Sequence, residues 1–310
     1  MIKMIFVVAM ATGILSRILT LNLDSKQYPS QPNILVSQMV LAVIASALGA
    51  LLVPALANQS YTSITFLSLA AEQFRSVRKD QRNTLQNLED LQLVKRGESY
   101  IEEIARTYET RNYICILTAI MTGFVYRFAT VEFHMTEGIS ITLGAITGVA
   151  LALVLKKVTR RQSLGDIADV VPAKINFDGP LIKVDDVVIS TIGLESSKQR
   201  FLEEGLAIRI IPKDGDYVKA GIINNPGQRQ AIAHTAYIRM GVFRDADEPD
   251  FTPLIRRDPN DQSMVMPFVP LKKDMDKLIE AVKSAPVLET AKGKNIALKK
   301  YNTNKKGSAS

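Results

Sequence analysis

Long apolar runs crowd the first half of the chain, and after Lys157 the pattern changes to short alternations of charge and hydrophobe. A helix needs about 20 mainly apolar residues to cross roughly 30 Å of hydrocarbon. Residues 2–19, 34–57, 113–130 and 138–155 have that character, which predicts four spans. Arg17 and Arg127 stand toward span ends, where a long side chain can snorkel to the interface. Ala9 and Ala11 resemble a signal cleavage site, but the apolar run before them is short and continues past them, so a retained first helix is expected.

The connection 58–111 is patterned too. Phe66, Leu67, Ala70, Phe74, Val77, Leu85, Leu88 and Leu91 recur at helical intervals, predicting one amphipathic helix to about Val94. Gly97 interrupts it. Ser99 and Glu102 then have the spacing of a capping box, and a new helix should run straight into the third span. A helical hairpin results, with Tyr100, Ile101, Ile104 and Ala105 packed on Leu85, Leu88 and Leu91. In the second half, strands are expected at 173–177, 181–190, 207–211, 217–223 and 264–269, with helices at 197–204, 226–240 and 272–283.

Charge orients this layout, because short cytoplasmic loops carry Lys and Arg. The 58–111 connection holds Arg75, Arg78, Lys79, Arg82, Lys95, Arg96, Arg106 and Arg111, and Lys156, Lys157, Arg160 and Arg161 follow the fourth span. The other two connections hold only Lys26. Both termini, the hairpin and the second half are therefore expected in the cytoplasm. Net charge is +7, and Lys292, Lys294, Lys299, Lys300, Lys305 and Lys306 form an acid-free tail expected to be disordered. Basic residues are not interleaved with aromatics, so nucleic acid is not an expected partner. A single cysteine, Cys115, excludes an intramolecular disulfide and any multi-cysteine zinc site. No metal or cofactor motif stands out, so no cofactor is assigned.

Three short motifs stand out: Tyr100-Ile101-Glu102-Glu103-Ile104-Ala105, Asn225-Pro226-Gly227-Gln228-Arg229-Gln230-Ala231, and Arg256-Arg257-Asp258-Pro259-Asn260-Asp261. Together with the spans and the length, they resemble the YIEGIA family, membrane proteins of endospore-forming bacteria, over the whole chain. Glu103 stands where that family has glycine. The resemblance implies a sporulation-associated protein of the forespore membrane and brings no established reaction. In a regular helix, Glu103→Gly should cost only about 1 kcal/mol of propensity.

Candidate chemistry is sparse. Gly144, Gly148 and Ala152 form a small-residue stripe matched by Ala42, Ser46 and Ala50, suited to packing of spans two and four or to homo-oligomers. Asn225 and Pro226 suit a helix start, where Gly227, Gln228 and Arg229 offer an anion or partner site. Gln230, His234 and Tyr237 share one stripe of that helix, and Arg256, Arg257 and Asp258 open a polar turn. Asp178, Asp185 and Asp186 are the carboxylates an aspartic-type hydrolase would use, although Asp178-Gly179-Pro180 suits a hairpin turn.

The expected architecture is an α-helical transmembrane bundle of four spans with a cytoplasmic helical hairpin, followed by a soluble mixed α/β domain. Its parts are 1–161 with the hairpin at 58–111, 162–291, and the tail 292–310. The expected role is a scaffold in the lipid bilayer that recruits a soluble cytoplasmic or forespore partner. A membrane-anchored hydrolase and a subunit of a transport complex are the alternatives.

Overall fold

The computed structural model describes residues 2–20, 32–245, 248–249 and 251–293. Two compact units emerge, one from Met1–Asn83 with Ile104–Arg160, the other from Thr84–Glu103 with the chain from Arg161 on. Of the expected basic tail only Lys292 is described in position, ion-paired to Glu289. The other five lysines lie outside the described residues, as does Lys26.

The first unit is helical: α1 (Ile2–Thr20), α2 (Pro32–Ala57), α3 (Tyr61–Glu89), α4 (Glu98–Val131) and α5 (Glu137–Val158). Among the described residues, α2, α4 and α5 are long and apolar enough to cross a membrane. The apolar part of α1, Met4–Thr20, is shorter, so length and composition support three of the four expected spans. Helix α4 is continuous over 34 residues, about 51 Å at 1.5 Å per residue, and carries the motif into the third span as the pattern predicts.

Helix directions change the expected layout. Gln38 of α2 donates to the Tyr108 hydroxyl of α4, Gly49 lies against Ile116 and Ala119, and Val53 lies against Gly123. Residue numbers rise together, so α2 and α4 are parallel. The segment between them must travel back along the bundle, which α3 does, with Arg78 3.1 Å from Glu109 of α4. The 58–111 connection is therefore not a hairpin confined to one end of the bundle. Helices α1 and α5 run the other way: Thr12 meets Thr122 and Ser16 meets Cys115, while Gly144 faces Thr122 and Tyr126. The start of α1 and the end of α5 therefore lie at opposite ends of the bundle.

Two further details differ from the sequence expectation. Arg17 does not snorkel outward; it is 2% exposed and donates to Gln38 Oε1 at 2.8 Å. The buried stripe of Gly144, Gly148 and Ala152 on α5 packs within the chain, its glycines against Thr122 and Tyr126 of α4 rather than against the second span. Glycine permits this because a Cβ at Gly144 would lie 2.8 Å from the Thr122 carbonyl oxygen.

The second unit opens with α6 (Leu164–Ile167) and β1 (Ala168–Ala173). A three-stranded antiparallel meander follows, β2 (Ile175–Asp178), β3 (Leu181–Val184) and β4 (Val187–Thr191). The strand expected over 181–190 is thus a hairpin, broken where Asp185 takes φ +51° and Val184 pairs with Val187. Gly179, at φ +59°, turns β2 into β3 as expected. After α7 (Glu195–Glu203), β5 (Leu206–Pro212) pairs with β1.

Next come α8 (Tyr217–Asn224), α9 (Pro226–Met240), and the short strands β6 (Arg244–Asp245), β7 (Glu248–Pro249) and β8 (Arg256–Arg257). The chain continues through β9 (Met264–Phe268), α10 (Met275–Lys283) and α11 (Glu289–Gly293). The expected strand over 217–223 is helix α8. Asp216 caps it by accepting from Val218 N, and Ala220 and Ile223, three apart, are buried. Strands β1, β5, β9 and β8 form the second antiparallel sheet in that order. One core of Ile182, Val184, Ile189, Phe201, Ala207, Val265 and Val269 joins both sheets.

Candidate functional site

In the second unit the helix that carries the second motif packs on the turn that precedes the first. The turn between α3 and α4 is closed by Glu89, whose carboxylate accepts from the amides of Arg96 at 3.1 Å and Gly97 at 3.0 Å. Gly97 takes φ +84°, a conformation that favours glycine. Helix α9 holds this turn with two side chains. Gln230 Nε2 donates to the Lys95 carbonyl at 2.7 Å, and His234 Nδ1 lies 2.6 Å from the Val94 carbonyl. A carbonyl only accepts, so Nδ1 carries the proton. The Tyr100 and Tyr237 rings each meet the His234 ring in a T-shaped arrangement. The stripe of Gln230, His234 and Tyr237 therefore faces this turn. Gly227 belongs to the same contact: a Cβ there would fall 2.7 Å from Ser99 Oγ.

Burial in this contact lowers the His234 pKa from the ordinary 6.5 to about 4, with Arg96 adding to the effect and the Val94 hydrogen bond opposing it. Unfolded chains take up this proton near pH 6.5, whereas the folded protein resists until about pH 4. Falling pH in that window should favour unfolding by up to ~3 kcal/mol from this one group. Thermal unfolding of the full chain at pH 7 and pH 4.5 measures it. His234→Asn, which keeps a donor near the Nδ1 position, should lose part of the pH dependence.

The motif residues are mostly interior. Tyr100, Ile101, Ile104 and Ala105 are all buried, and Glu103 is 2% exposed. Glu103 pairs with Arg161, whose guanidinium lies 2.9 Å from Oε1 and also donates to the Glu103 carbonyl at 2.8 Å. The apolar face expected beneath the motif is only partly present: Leu85 is buried, but Leu88 and Leu91 are 44% and 78% exposed. Tyr100 packs instead on His234. That long-range partner has no signature in the local spacing.

The start of α9 is occupied by the protein itself. Asn225 accepts from Gly227 N at 3.0 Å with Pro226 at the first position, as the sequence predicts. Gln228, fully buried, donates to Pro286 O and accepts from Leu288 N, both at 2.8 Å. Arg229 donates to Ile255 O. These residues, with His234, clamp segments of the second unit together.

The third motif surrounds a cation that sequence reading missed. Arg209 of β5 lies 2.9 Å from Asp258, 3.0 Å from Asp185 and 3.1 Å from Asp261, and also donates to Ser263 at 2.8 Å. One guanidinium thus joins the β3–β4 turn to the turn after β8. Only the alternation of β5 hinted at it, as a charge within Ala207-Ile208-Arg209-Ile210-Ile211. Arg256 donates to Ile189 O, and Arg256 and Arg257 are both exposed. Asp178 sits on an exposed turn, where its hydrogen bond to Lys183 holds its carboxyl below the usual range. Asp186 is exposed beside Asp185. The three candidate acids do not converge: Asp178 pairs with Lys183, and Asp185 with Arg209.

Comparison with known proteins finds relatives over nearly the whole chain. The YIEGIA protein family matches residues 5–298. The uncharacterized protein YphB of Bacillus subtilis (strain 168) is 38% identical over 279 residues, covering 90% of each chain. No solved structure matches this chain.

Proposed function

Since the chain belongs to the YIEGIA family, we propose that it is a multi-pass protein of the forespore membrane whose α/β unit recruits a soluble partner during sporulation. One observation carries the reading: the helix that bears the second motif holds backbone segments of the second unit in place, and the third motif is gathered on a single cation. Gln230, His234 and Gly227 hold the turn before α4, Gln228 holds the segment before α11, and Arg209 gathers the third motif. Such an arrangement makes a rigid platform. It does not pair Asp178, Asp185 and Asp186 as the two facing carboxylates an aspartic-type hydrolase uses, since Asp178 pairs with Lys183 and Asp185 with Arg209.

The positive-inside rule supports an orientation for this protein. Arg78, Arg106, Arg111, Lys156 and Lys157 belong to the end of the bundle where α3 leaves, α4 begins and α5 finishes, so that end faces the cytoplasm. The start of α1 is then extracytoplasmic, and α3 is a return crossing.

Single substitutions separate a platform from a hydrolase. Asp178→Asn and Asp186→Asn should sporulate normally at normal protein abundance, while Asp185→Asn should lose function only in proportion to lost abundance. Loss of sporulation in any of the three at normal abundance would overturn the platform in favour of catalysis.

A further inference from the structure

The first unit contains a line of buried polar side chains that the recruitment role does not use. Along α4 it begins at Tyr108, whose hydroxyl accepts from Gln38, itself bonded to Arg17. It passes Cys115, 3.7 Å from Ser16 Oγ, and then Thr122, 2.9 Å from Thr12 Oγ1. It continues to Tyr126, which faces Gly144, and to Ser140 one turn before Gly144 on α5. All these side chains are buried. From Tyr108 to Tyr126 the helical rise is about 27 Å, close to the roughly 30 Å of the hydrocarbon core. The line therefore extends nearly the full depth of a bilayer.

A second, independent observation points to an occupant. The hydroxyls of Thr118, Tyr126 and Ser140 are buried without a hydrogen-bond partner among the described residues, and they fall on the facing sides of α4 and α5. Polar atoms sealed in an apolar medium are costly unless something bonds to them. Water or a small polar solute in the seam would supply those bonds.

Chemistry of the lining restricts what fits. Ser16 and Ser46 donate to the Gly13 and Ala42 carbonyls of their own helices, and one of Thr12 and Thr122 spends its proton on the other. The Ser16 and Ser46 hydroxyls therefore keep only lone pairs for the line, which disfavours anions. The Arg17 guanidinium at one end repels cations. We propose that this bundle forms a narrow membrane path for water and small uncharged hydrogen-bond donors.

The purified full chain in sealed liposomes, subjected to a sucrose osmotic jump and followed by light scattering, tests this. Vesicles with the wild-type protein should shrink several-fold faster than protein-free vesicles. The near-isosteric double substitution Thr118→Val/Thr122→Val should return the rate close to that of protein-free vesicles, and Ser140→Ala at the opposite end should slow it in part. Arg17→Gln should add a proton leak, read with an entrapped pH dye, that the wild type lacks. Wild-type vesicles shrinking no faster than empty ones would overturn the proposal. So would an undiminished rate in the Val double variant when its gel-filtration profile matches wild type.

Discussion

Replacing Glu103 with glycine should destabilise the protein by about 3 kcal/mol or more, because it removes one half of a buried ion pair. Glu103 Oε1 lies 2.9 Å from the Arg161 guanidinium and is shielded from solvent, so Glu103→Gly leaves that cation without this carboxylate. Helix propensity adds only about 1 kcal/mol to the loss. The Arg161 bond to the main-chain carbonyl survives, which keeps the effect toward the lower end of such substitutions. Thermal unfolding of the full chain in detergent should show a clear drop in midpoint. Glu103→Gly/Arg161→Met should recover part of it, since removing both charges strands neither. An unchanged midpoint in the single variant would mean that the pair contributes nothing net.

Arg209→Met should have a comparable effect, roughly 3–5 kcal/mol, because three carboxylates then face one another without their shared cation. Asp258 is buried, so its charge has least access to water. Against its partial burial, bonds from Ser263 and Arg209 hold the Asp261 carboxyl below its usual range, so the loss should be greater near neutral pH than in acid, where that carboxyl takes up its proton. Denaturation midpoints at pH 7 and pH 4 check both the size of this loss and its pH dependence.

Elements governed by local rules were legible in the sequence. Asn225-Pro226 fixed the start of α9, the Gly97 break divided α3 from α4, and Asp178-Gly179-Pro180 made its turn. Apolar length identified α2, α4 and α5. Tyr217–Asn224 was misread because its β-branched content outweighed a single Asp216 cap, and 181–190 because Asp185-Asp186 lacks the glycine that usually marks a two-residue turn. Site geometry was harder. The partners of Glu103, His234, Gln228 and Arg209 are 24 to 140 residues away, beyond what periodicity can register. Helix direction was also hidden: hydropathy counts α3 as a polar helix, and only its parallel neighbours α2 and α4 show that it traverses the bundle.

The proposed return crossing of α3 and the proposed cytoplasmic placement of the second unit are tested by thiol accessibility on a Cys115→Ala background. Gln59 lies between α2 and α3, Thr136 lies just before α5, and Gln162 follows α5; all three are exposed. In intact cells an impermeant maleimide should label Gln59→Cys and Thr136→Cys alike and leave Gln162→Cys unlabelled until the membrane is permeabilised. Protection of Gln59→Cys alongside labelling of Thr136→Cys would contradict the account, because α3 would then not cross.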